Sequence, residues 1–316
     1  MGKRIVVSLI VIMITGLLFI HPAFAHNFVQ NSNADLIAKI QEFKTESNLI
    51  ANNLSDSTLT HWHISKSQEY WGTNEINGLF QKNSTLANNL STSIDDLYLL
   101  SDQSNVDPII AIQKANTLNQ ILDQAESAEI SSSDQNNATI QSLAVINVLN
   151  EVLKNYGDAI GSKVDLTNMS NMEVGSSSSM GSGNMSNMQS GNNMQGMSGM
   201  QSGMSSNSIV NVAAYQSAQA LTDTAQTMFN NLKSITPSNS SPYLDKISNE
   251  LVDLKQAINS KESGNDVMTI VHMKIHPDFI AGFHIQAVPE FPTPLLLVII
   301  SIMGTIMISR LIPKLR

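Results

Sequence analysis

The 316-residue chain has no cysteine. Disulfides, thiolate metal sites and blue-copper centres, which need a Cys ligand, are therefore excluded. Basic residues are scarce, with 17 Lys and Arg against 26 Asp and Glu. All 26 acids lie between the two apolar ends, with 12 of the 17 basic residues, so that stretch carries a net −14. This sign disfavours nucleic acid as a partner and favours cations. Continuous β-branched runs bounded by hairpin turns are missing. So are the G-x-S-x-G elbow, the H-E-x-x-H helix, the phosphate loop and the dinucleotide fingerprint. The sequence thus gives no support for an enzyme; Asp95-Asp96 reads as an ordinary charged turn.

The two ends are apolar. MGKR, the run Ile5 to Ile20 and Ala23-Phe24-Ala25 read as a secretory signal over residues 1–25, with His26 first in the mature chain. Phe291 to Ser309 carries no charge and is followed by Arg310, Lys314 and Arg316. Such a run is long enough for one transmembrane helix, and its basic tail points to the cytoplasm. The expectation is an extracytoplasmic chain held at its C-terminus. Seven N-x-S/T sequons, at Asn53, Asn83, Asn89, Asn137, Asn168, Asn184 and Asn239, admit glycosylation.

Between the ends, apolar spacing is helical. Leu36, Ile40, Phe43, Ile50 and Leu54 share one face, as do Ile140, Leu143, Ile146, Leu149, Leu153 and Tyr156. Leu244, Ile247, Leu251, Leu254 and Ile258 repeat at steps of three and four. Asp107-Pro108 and Ser241-Pro242 are helix starts. The expected fold is all-α, an antiparallel bundle with about five helices within residues 26–160 and three within residues 208–288. Two small bundles joined by a linker are the alternative. Residues 161–207 read as a disordered linker, since Ser, Gly, Asn and Met dominate and Glu173 is the sole charge from Leu166 to Asn207.

That linker is rich in thioethers. Nine of the 16 methionines fall between Met169 and Met204. Met185 and Met188, then Met194, Met197, Met200 and Met204, stand three or four apart on a pliable backbone. Neutral thioethers gathered this way suit Cu(I). Competing readings are a plain spacer, a sacrificial oxidant trap and an adaptable contact surface.

Histidines supply further candidates. His272 and His276, four apart, form a half-site for Cu(II) or another divalent ion if the helix reaches His276, which precedes Pro277. The bland alternative is a pair of surface histidines at a helix end. His61 and His63 in "HWHIS" are candidates of the same kind, although a helix would point them about 200° apart. His26, with its α-amine, could begin a copper brace, on a terminus that reads as unpaired.

The C-terminal stretch "VPEFPTPLLLVIISIMGTIMISRLIPKLR" resembles the PEFG-CTERM sorting signal of surface proteins of ammonia-oxidising archaea. Pro289, Glu290 and Phe291 match it; Pro292 stands where that family has Gly. The resemblance implies a cell-surface address and processing by an archaeosortase, and Pro292 favours retention of the helix as an anchor. "HWHISKSQEYW", "NYGDAI" and "AAYQSAQAL" resemble helical ectodomains of the same group. The Met-rich tract resembles segments of periplasmic copper-resistance proteins and copper-transporter ectodomains. Together these imply a membrane-anchored, extracytoplasmic copper-binding protein for buffering or delivery. The alternative is a glycosylated structural or adhesive envelope protein that contacts other envelope proteins, with the tract as a spacer.

Overall fold

A computed structural model describes residues 26–103, 105–171, 208–236 and 241–289. It divides into two units. The smaller contains a ribbon of β1 (His26–Phe28) antiparallel to β2 (Ala287–Pro289), pairing His26 with Pro289 and Phe28 with Ala287. The backbone of His26 is thus paired, where an unpaired terminus was expected.

The larger unit, Val29–Gln286, is helical. Its helices are α1 (Ser32–Asn53), α2 (Ser57–Tyr70), α3 (Thr73–Lys82), α4 (Ser84–Tyr98), α5 (Pro108–Glu129), the single turn α6 (Ser132–Gln135) and α7 (Ala138–Ile160). After the tract come α8 (Val212–Ile235), α9 (Ser241–Asn259), α10 (Gly264–Thr269) and α11 (His276–Phe283). The all-α class stands. More helices form than expected because Asp56, Asn83 and Ser131 each accept backbone N–H bonds and open a new helix. Asp107 caps α5 likewise, accepting from the Ile109 N–H at 2.9 Å. None of the described helices is long and apolar enough to cross a membrane. The signal segment, most of the Met tract, the apolar run from Phe291, Glu290 and Phe291 lie outside the described residues.

Helix α7 is the axis of this unit. Its expected apolar face is buried, and so are Val145, Val148 and Val152 on its other side. A helix buried nearly all round loses its amphipathic signal. It packs most extensively on α8, and both pack on α1. Because α8 follows the tract, elements from before and after it share this core. One bundle therefore fits better than two joined by a linker.

The linker begins later than expected. Gly161 closes α7 in the left-handed region (φ 64°), and Leu166 is buried. An Asp165 turn and a short 3-10 segment, Met169–Asn171, follow. Residues 161–171 thus belong to the folded unit.

Candidate functional site

Two sites emerge, both built inside the helical unit. The first joins α1, α2, α7 and α8. Helix α1 presents Glu42 and Glu46 one turn apart, with Glu46 three residues from Phe43 and on the same side of the helix. Both carboxylates are buried, Glu46 completely. His63 Nδ1 lies 2.7 Å from Glu46 Oε2 and His63 Nε2 lies 3.0 Å from Gln216 Oε1. Ser217 Oγ donates to Glu46 Oε1 at 2.6 Å.

A layer away, Lys66 Nζ sits 2.7 Å from Glu151 Oε1 and 3.1 Å from Glu69 Oε2. Tyr70 and Asn155 donate to the same Glu151 oxygen, at 2.9 and 3.1 Å. Burial alone would depress the Lys66 ammonium, but Glu151 and Glu69 beside it hold it above its usual range. Burial, then the charge of Glu151, pushes the Glu42 carboxyl up to about 8. Glu42 therefore holds its proton more readily than an ordinary carboxyl.

Ser217, His63 and Glu46 have the composition of a nucleophilic triad, but their geometry differs. Ser217 donates to the carboxylate, and its Oγ is 3.5 Å from the same His63 nitrogen that faces Glu46. A working base would face the hydroxyl with its other nitrogen. All three residues are fully buried. The cluster instead ties α8 to α1 and α2.

The expected His61/His63 pair is not brought together. Because "HWHIS" is helical, His63 turns inward and His61 outward, where His61 Nδ1 bonds the Ser57 carbonyl at 2.7 Å. His63 has both ring nitrogens facing oxygens, which leaves neither aimed at a metal.

The second site is the His272/His276 pair, which the structure does bring together. The ring centroids are 5.1 Å apart and nearly perpendicular. Both are buried, at 4% and 1% exposure, so they are not the pair of surface histidines that was the alternative reading. The helix reaches His276 through a wide turn, Ile270–Ile275, in which the His276 N–H bonds the Val271 carbonyl five residues back. Pro277 offers no N–H to the carbonyl of Met273 and its ring crowds that oxygen. A widened turn accommodates both effects, and such turns recur at functional positions.

His272 Nε2 lies 3.0 Å from the Leu166 carbonyl. A carbonyl only accepts, so Nε2 donates in this bond. This is the arrangement by which outer partners orient metal-binding imidazoles. No group of three or more His, Asp or Glu able to hold a metal occurs among the described residues. His284 is exposed and closes α11 in a left-handed conformation.

Known protein families, curated proteins and solved structures offer no match to this chain. Met185, Met188, Met194, Met197, Met200 and Met204 lie outside the described residues, as do Glu290 and Phe291; the backbone of Pro289 pairs with His26. Sequence reasoning missed Glu42, Glu46, Lys66, Glu151 and Ser217. The signal for them was an acid pair one turn apart on α1, and His63, Lys66 and Tyr70 at steps of three and four on α2. Three sequons hold structural bonds: Asn83 and Asn137 cap helices, and the Asn53 amide donates to the Leu49 carbonyl.

Proposed function

We propose that this protein is a membrane-tethered, extracytoplasmic copper-binding protein whose Met-rich tract captures Cu(I) and whose helical unit carries the tract. The crowding of nine methionines between Met169 and Met204 is the observation that carries the reading. Thioethers are soft and neutral, so they hold Cu(I) without competition from protons. The histidines of the helical unit support this division of labour, because His63 is engaged by Glu46 and Gln216 and His61 by Ser57. The PEF-type C-terminal signal supports a cell-surface address, anchored by the apolar helix or processed by an archaeosortase.

The His272/His276 pair is the second element, for Cu(II) or another divalent ion. Its support is the spacing of four that brings the two imidazoles to 5.1 Å between ring centroids, with His272 oriented by the Leu166 carbonyl. Leu166 stands six residues before Met172, so a metal at the pair would sit beside the root of the tract.

The test is a Cu(I) titration of the full-length chain against a competing chelator, repeated with residues 172–207 deleted. Residues 161–171 must be kept, because Leu166 is buried in the fold. The deletion is expected to lose most Cu(I) equivalents, and equal stoichiometry would remove the tract from the reading. For the pair, His272→Ala with His276→Ala should cost one Cu(II) equivalent, and an unchanged titration would rule that site out.

A further inference from the structure

Between helices α1, α5 and α8 lies an open cleft of about 650 Å³ that uses none of the residues assigned to metal. This volume falls within the range of small-molecule sites, about 300–1,000 Å³. Of its eighteen lining residues, eleven carry a neutral amide or hydroxyl and three carry a charge. The three charges are muted. Lys44 pairs with Asp123, and Asp223 pairs with Lys255 at 2.6 Å. Burial pushes the Glu126 carboxyl up, toward its neutral form. A charged ligand would therefore find no matching field.

The polar groups are held in place across helices. Thr45 Oγ1 donates to the Gln41 carbonyl at 2.8 Å, so in its 2.8 Å bond with Thr224 the Thr224 hydroxyl donates and keeps its lone pairs as acceptors. Ser47 donates to Asn119 Oδ1 at 2.8 Å, and Asn119 Nδ2 donates to Asn48 Oδ1 at 3.0 Å. Each amide of that chain retains a donor or an acceptor for a ligand. Side chains fixed before binding lose little rotamer freedom on binding. Met228 and Leu232 add apolar atoms beside these polar groups.

We propose that this cleft binds a short neutral oligosaccharide. Sugar hydroxyls donate and accept at once, as the amide and hydroxyl lining requires, while the C–H faces of the rings suit the apolar patch.

The test is calorimetric titration of the full-length protein with maltotriose, mannotriose and N,N′-diacetylchitobiose, with sodium sulfate as the charged probe. At least one saccharide is expected to bind and sulfate is not. Asn231 and Thr227 are exposed on the α8 rim, so their substitution should leave the fold intact. Asn231→Ala should weaken binding by about 5–10-fold, the value of one neutral hydrogen bond. Thr227→Trp should occlude the cleft and abolish binding with an unchanged circular dichroism spectrum and melting temperature. Absence of binding by all three saccharides, binding of sulfate alone, or saccharide binding that survives Thr227→Trp would each overturn the proposal. Failure here leaves the copper reading untouched.

Discussion

Replacing Lys66 by Met isolates the worth of the buried charge layer. Methionine keeps most of the side chain's length and apolar packing, so the chief loss is the ammonium. The Lys66 side chain is only 5% exposed, and its principal partner, the Glu151 side chain, is 14% exposed. Removing Lys66 leaves a mostly buried carboxylate with only the half-exposed Lys154, at 3.6 Å, as its cation, at a cost of about 3–5 kcal/mol. For a domain of this size, roughly 2–4 °C of melting temperature accompanies each kcal/mol. The expected drop is therefore about 6–20 °C near pH 8.

A second variant separates charge from packing. Lys66→Met combined with Glu151→Gln removes both members of the pair, so no uncompensated carboxylate is left and part of the stability should return. Urea unfolding followed at 222 nm reads both variants. Additive losses in the double variant, or a melting shift under about 2 °C for Lys66→Met at pH 8, would refute the reasoning.

Glu42→Gln should do the reverse. Because burial, then Glu151, holds the Glu42 carboxyl up at about 8, its penalty is absent below its ordinary pKa, grows as pH rises, and is complete above about 8. The variant should match the parent near pH 4 and gain by up to about 1.4 kcal/mol per pH unit above that, read from urea midpoints; an equal gain at pH 4 would count against it. Gly282→Ala should destabilise by about 1–3 kcal/mol through overpacking, since the new Cβ would lie 2.9 Å from Tyr243 Cβ, the fixed end of that side chain. Gly78→Ala is the paired control in calorimetric melting: beyond its chain neighbours and the backbone of its own helix nothing lies within 4 Å of the added carbon, so the helix should gain about 0.5–1 kcal/mol.

The helices were legible because their signals are local. The stripe Ile247, Leu251, Leu254 and Ile258 is buried as its spacing implied, and Asp107-Pro108 begins a helix. Less legible was α1, whose apolar stripe predicts one buried face. Its polar side is buried too: Thr45 meets α8, Glu46 meets α2 and α8, and Ser47 meets Asn119 on α5. Periodicity assigns polar residues to solvent by default. Only a partner of opposite charge or matching hydrogen bonds permits the contrary, and here those partners, Ser217 and Gln216, lie over 150 residues away.

The histidine candidates show the same limit. A spacing of four put His272 and His276 together correctly, since that is a property of one helix. Whether the pair faces water depends on what lies across it, which is Leu166, a residue that composition assigned to a disordered stretch. The leucine is held there by small neighbours: Gly157 and Gly264 both approach its side chain so closely that a Cβ on either would stand 3.3 or 3.2 Å from it. Glycines scattered in sequence thus made room for one buried side chain, and its carbonyl oriented His272. Spacing finds ligands that share an element, whereas burial and protonation are decided by residues from elsewhere in the chain.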